Sequence, residues 1–122
     1  MIRWKNQNRR FIILVMVAAM LSCTARKLHD APPKCIRDFI SNNKENANWH
    51  VGSVDEFEYQ GKLVYAFNPS KNLYDGATFI KSADCVDMCS VGGFAGPKNN
   101  QCNGDNFFEK SVLKRTIWRS DK

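Results

Sequence analysis

"VDEFEYQGKLVYAF", residues 54–67, decides the fold. Valine, aromatics and leucine recur through it, and Gln60-Gly61 interrupts the run, so it reads as a β-hairpin. Two registers compete. If Gln60 and Gly61 alone form the loop, Tyr59 faces Lys62 and Glu58 faces Leu63, mixing charged and apolar side chains on both faces. If Tyr59, Gln60 and Gly61 form the loop, Glu58 faces Lys62 and Phe57 faces Leu63. Tyr65 and Phe67 then continue the Phe57 side, so one face is aromatic and the other charged. The longer loop is therefore expected, with Asp55 left on the apolar side.

Upstream, "PPKCIRDFISNN" (32–43) begins with prolines suited to a first helical turn and sets Cys35, Ile36, Phe39 and Ile40 on one helical face. Asn42 and Asn43 suit its end, and Cys35 is expected to point inward. Downstream, "ATFIK" (77–81) reads as a short strand, and "SVLKRTIWR" (111–119) as another after a helical turn around "DNFFEK" (105–110). The expected fold is α+β: one short N-terminal helix packed on a small antiparallel sheet of about four strands, cross-linked by two disulfides. It occupies residues 34–122 as a single domain, small enough to benefit from cross-links.

The first residues carry a different message. "MIRWKNQNRR" (1–10) holds Arg3, Lys5, Arg9 and Arg10 and no acid, and "FIILVMVAAMLSC" (11–23) follows as a short apolar run ending in small residues. That is the pattern of an export signal, too short to span a bilayer comfortably. "MLSC" has the look of a lipobox, with Met20 standing where leucine is usual, so residues 1–22 are expected to be a lipoprotein-type signal and Cys23 the lipidated residue. An ordinary secretory cut after Ala25 is the alternative. Residues 23–33, without apolar periodicity and ending in Pro32-Pro33, read as a tether.

Removal of the signal changes the charge. The whole chain has 18 Lys and Arg against 12 Asp and Glu, a net charge of +6. Four of those cations precede Cys23, which leaves 14 against 12 and a net charge near +2. The basic balance belongs mostly to the leader and is no argument for nucleic acid. Lys110, Lys114, Arg115, Arg119 and Lys122 cluster near the C-terminus and read as a solvated face.

Five cysteines are an odd number for an exported chain; lipidating Cys23 leaves Cys35, Cys85, Cys89 and Cys102. A four-thiolate zinc site would show closely spaced pairs, and only Cys85 and Cys89 stand close. Redox catalysis favours a two-residue gap and a lowered thiol pKa, whereas "CVDMC" has a longer gap and is flanked by Asp84 and Asp87. Two structural disulfides fit best, with Cys35 joined to Cys85 or Cys89 and Cys102 to the other. No metal and no cofactor is expected.

The segment between Cys89 and Cys102 contains "VGGFAGPKN", which lacks the Gly-Lys-Ser/Thr ending of a phosphate loop. Gly92, Gly93, Phe94, Gly96 and Lys98 are nonetheless a candidate binding loop, held between two cysteines. "NNQCNGDN" could offer oxygens to calcium, but turn formation explains it more simply. His50 is the one histidine of the domain, His29 lying in the tether, and no nucleophile stands near a base in sequence. No catalytic residue is therefore nominated.

Together "CIRDFI", "EFEYQGKLVYAF", "DCVDMCSVGGFAG" followed by Cys102, and "TIWRSDK" resemble a group of small lipoproteins of Bacteroidota with a cysteine-containing domain of unknown function. The likeness covers roughly residues 35–122 and implies export and a cysteine-stabilised domain, with no assigned reaction. The loop "FAGPKNNQC" departs from the glycine- and aspartate-rich loop of that group. Thr24, Ala25, Arg26 and Lys27 lack the acids that mark surface display in such lipoproteins, which implies an anchor facing the periplasm.

The expected function is thus a lipid-anchored cell-envelope protein, non-enzymatic, acting as a binding or structural module. Its partners would be the membrane, through Cys23, and an unknown envelope protein or polymer. A small disulfide-stabilised inhibitor of a protease or other hydrolase is the alternative, and a minor envelope enzyme the third reading.

Overall fold

Five strands pair antiparallel, and β-branched or aromatic residues recur through four of them. In the computed structural model, which describes residues 31–73 and 75–121, helix α1 (Lys34–Asn43) precedes strands β1 (Val51–Tyr59) and β2 (Lys62–Pro69). Strands β3 (Ala77–Ser82) and β4 (Asp87–Gly92) follow, then a 3-10 turn (Gly93–Asn99) and the two-residue strands β5 (Gln101–Cys102) and β6 (Asp105–Asn106). A four-residue helix, α2 (Phe107–Lys110), leads into β7 (Val112–Arg119). The main sheet has the order β4-β3-β2-β1-β7, and β5 and β6 form a separate ribbon. The segment expected to be a signal, Cys23 and most of the segment expected to be a tether lie outside the described residues.

The α+β class and two disulfides hold, but the sheet has five strands rather than about four. The strand missed is β4, "DMCSVG", which carries Cys89 through the segment read as loop. Aspartate, serine and glycine give it little intrinsic strand character; pairing with β3, with Ile80 opposite Cys89, holds it extended.

The hairpin register also differs. Tyr59 pairs with Lys62, Glu58 with Leu63 and Phe57 with Val64, so Gln60 and Gly61 alone form the loop. Both have positive φ, 50° and 76°, as a two-residue turn matching strand twist requires. The reason is that the sheet is covered on both faces, so apolar residues need not share one side. On one face Val54, Tyr65 and Phe67 pack against Ile36 and Ile40 of α1. On the other, Tyr59, Val64, Ala66, Ile80 and Val91 pack against Cys102 and Phe107. Asp55 sits at the polar end of that second face, 2.8 Å from the Asn68 amide and 2.6 Å from the Thr116 hydroxyl.

Each cover is tied down covalently. Cys35 of α1 is bonded to Cys85 in the β3–β4 turn, fifty positions away. Cys35 is exposed rather than inward-pointing, so it clamps the helix at its edge. Cys89 of β4 is bonded to Cys102 of the ribbon, thirteen positions on. Rings complete the contacts: Phe39 meets Phe67 at 5.4 Å between centroids, and Phe107 meets Tyr59 at 5.0 Å. Two bridges in so small a domain point to an extracellular or periplasmic compartment. Among the described residues no helix is long and apolar enough to cross a membrane.

Candidate functional site

Three chain reversals, distant in sequence, meet at one end of the sheet and wall an open cleft of about 610 Å³. The first is the β1–β2 hairpin tip, supplying Tyr59, Gln60, Lys62, Leu63 and Val64. The second is the β3–β4 turn with Ser82, Ala83, Asp84 and Val86, continued by Met88, and the third is Asn103 in the β5–β6 turn.

Local chemistry fixes each wall. Asn103-Gly104 is an Asn-Gly pair with φ of 50° and 91°, the left-handed conformations that reverse a two-residue hairpin. The Ser82 amide donates to the Val86 carbonyl at 2.9 Å, and the Cys85 amide to the Ser82 carbonyl at 3.0 Å, closing the second turn. The Gln60 side-chain amide donates to the Asn103 carbonyl at 3.2 Å and to Asp105 Oδ2 at 3.0 Å, joining the first wall to the third. Below them the Tyr59 hydroxyl donates to the Cys102 carbonyl oxygen, with that of Asp105 at 3.3 Å. Burial, followed by the charge of Asp105, raises the Tyr59 phenol above its ordinary pKa, so it stays a neutral donor.

The cleft is apolar below and charged at its rim. Tyr59 and Val64 are buried in its floor, while Leu63 and Val86 are 45% and 62% exposed at its edges. Lys62 and Asp84 stand on opposite walls, and neither side chain has an ion-pair partner among the described residues. Clefts of 300–1,000 Å³ or so with an apolar lining and a few polar groups are the usual form of ligand sites. The walls are held by bridges beside Ala83, Met88 and Asn103, which limits how far they can rearrange.

Sequence reasoning nominated the far end of β4 instead. Gly92, Gly93, Phe94, Gly96 and Lys98 lie at the close of β4 and in the 3-10 turn, where the Asn99 amide donates to the Gly92 carbonyl at 3.1 Å. Phe94 is 91% exposed. Met88 in the cleft and Gly92 at the start of this loop are four positions apart on extended β4, a separation of roughly 13 Å. Cleft residues were not nominated because three separated turns build the cleft; the Asn-Gly pair at 103–104 was the available signal.

Other nominated groups find ordinary partners. Lys114 pairs with Glu58 at 3.0 Å and Arg115 with Glu56 at 3.3 Å, so two cations of the C-terminal cluster are engaged. Glu56 is 7% exposed and also accepts from the Tyr65 hydroxyl at 3.0 Å. Burial, then this hydrogen bond, raises the Tyr65 phenol well above its ordinary range. The four domain cysteines are all in disulfides. Among the described residues no group of three or more His, Cys, Asp or Glu side chains is placed to hold a metal. His50 is exposed beside half-buried Trp49.

A family model described as a domain of unknown function, DUF6970, matches residues 40–120. The chain belongs to the DUF6970 family. The DUF6970 match takes in all five strands of the sheet, the cleft and the Cys89–Cys102 bridge, and begins after Cys35. No curated protein and no solved structure matches the chain.

Proposed function

We propose that this protein is an exported, lipid-anchored binding module of a bacterial envelope, non-enzymatic and facing the periplasm. Its partner is an envelope protein or polymer, and the cleft between the three turns receives an apolar group of that partner. The observation that carries this reading is the covalently and hydrogen-bond-braced cleft, with Leu63 and Val86 left exposed at its rim. Lys62 and Asp84 offer opposite charges for orienting what enters. The basic leader and the lipobox-like "MLSC" support export and lipidation of Cys23.

Crosslinking the native protein in intact cells, followed by mass spectrometry, tests the reading. One saturable partner should be lost with Leu63→Asp and Val86→Asp, with near-ultraviolet dichroism checking that each variant is folded, since Asp at 63 would face Glu58 across the hairpin. An unchanged set of crosslinks in those variants would remove the cleft from the function.

One observation favours a second reading, an inhibitor of a protease or other hydrolase. Phe94 projects from a short turn closed by the Cys89–Cys102 bridge, as an inhibitory side chain on a braced loop would. Inhibition of a hydrolase panel, abolished by Phe94→Ala, is its expected signature. No inhibition across the panel excludes it.

A further inference from the structure

Away from the cleft, helix α1 and strand β7 border a second, smaller and more open hollow of about 190 Å³. Arg37, Ile40, Ser41 and Lys44 line it from one stripe of the helix, spaced three and four positions apart, and Ile117 and Trp118 line it from the strand. Neither Arg37 nor Lys44 has an ion-pair partner among the described residues; Asp38, next to Arg37, is taken by Lys34 at 2.6 Å. Glu45 and Asp121 are not among the lining residues. Trp118 is braced by Trp49, with ring centroids 5.2 Å apart.

Pro32 lines the hollow's edge, and chain length from it bounds how far this surface can lie from Cys23. Cys23 is nine residues upstream of Pro32, a span whose fully extended length is roughly 30 Å. A lipid on Cys23 therefore keeps the Pro32 edge within that distance of the bilayer. Two unmatched cations and an indole at such an edge match the chemistry of a phospholipid interface, where amphipathic rings sit at headgroup level and cations meet lipid phosphates.

We infer that the Arg37–Lys44–Trp118 hollow is an anionic-phospholipid headgroup site that seats the domain on the membrane carrying its own anchor. The inference rests on the lipidation of Cys23 proposed above. Seating turns the Pro32 edge towards the bilayer and restricts how the domain presents its cleft.

The test uses the protein extracted from membranes. Intact mass first reports whether Cys23 carries lipid; absence of lipid overturns both the anchor reading and this inference. The lipidated protein is then reconstituted into phosphatidylcholine vesicles with and without phosphatidylglycerol, and quenching of Trp49 and Trp118 by acrylamide is measured. Protection is expected only with phosphatidylglycerol, and it should fade at high salt. Arg37→Ala with Lys44→Ala should shift the seated-to-free ratio about 30-fold towards free, at about 1 kcal/mol for each cation. Both positions are exposed, and near-ultraviolet dichroism checks that the variant is folded. Lipidated protein showing equal quenching in both vesicles, or salt-independent protection, overturns the headgroup site while leaving the anchor intact.

Discussion

Tyr59 and Cys102, 43 positions apart, are joined by a hydrogen bond from the phenol to the main-chain carbonyl, both residues being almost wholly buried. The bond ties the hairpin tip to the ribbon at the point where Cys102 is also bridged to Cys89. Tyr59→Phe keeps the ring against Phe107 but leaves the Cys102 carbonyl without this buried donor. A loss of about 1–2 kcal/mol in chemical denaturation is expected. No change would mean the cleft wall is held by the bridge alone.

Alkaline pH acts on buried phenols on both faces of the sheet. Burial raises the phenols of Tyr59 and Tyr65 in the fold, whereas an unfolded tyrosine ionises near pH 10 or so. Folded-state values above unfolded ones give stability that is complete below about pH 10 and lost as pH rises through the folded values. Denaturation midpoints should fall above that pH together with growth of phenolate absorbance. Tyr65→Phe should flatten the dependence, and an unaltered slope would exclude Tyr65 as its source.

The two bridges should differ in worth. Closing a loop of fifty positions stabilises by about 4 kcal/mol in the chain-entropy model, and one of thirteen by about 3 kcal/mol. Cys35→Ala with Cys85→Ala is expected to lose more than Cys89→Ala with Cys102→Ala if loop closure dominates. The reverse order would show that the buried position of Cys102 outweighs loop length.

Much of this was legible in the chain. Ile36 and Ile40 announced the face of α1, and Asn43 its end. "ATFIK" and "SVLKRTIWR" announced β3 and β7, and the hairpin declared its existence, though not its register. Register failed for a physical reason: separating apolar from charged residues assumes one wet face, and here α1 covers one face while the ribbon and Phe107 cover part of the other. Phe57 and Tyr65 therefore lie on opposite faces, although a one-sided sheet would align them. Strand β4 was hidden because its extended form comes from β3 and not from "DMCSVG" itself. The cleft was hidden for a related reason, since Lys62, Asp84 and Asn103 converge only once both covers are in place.

Glu56 joins three strands in one row, opposite Tyr65 on β2 and Arg115 on β7. Arg115→Met removes the cation and leaves a buried carboxylate held by Tyr65 alone. With Arg115 partly solvent-exposed, a loss of about 1–2 kcal/mol is expected, and Glu56→Gln in the same background should recover part of it. Additive losses in the double variant would show that the pair is not coupled.

The most direct measurement is peptide mapping of membrane-extracted protein, alkylated and digested without reductant. Linked peptides containing Cys35 with Cys85, and Cys89 with Cys102, are expected, with no alkylation at any of the four. Alkylation at all four positions, stoichiometric zinc, or a Cys35–Cys89 link would contradict the view that these sulfurs serve only to brace the cleft.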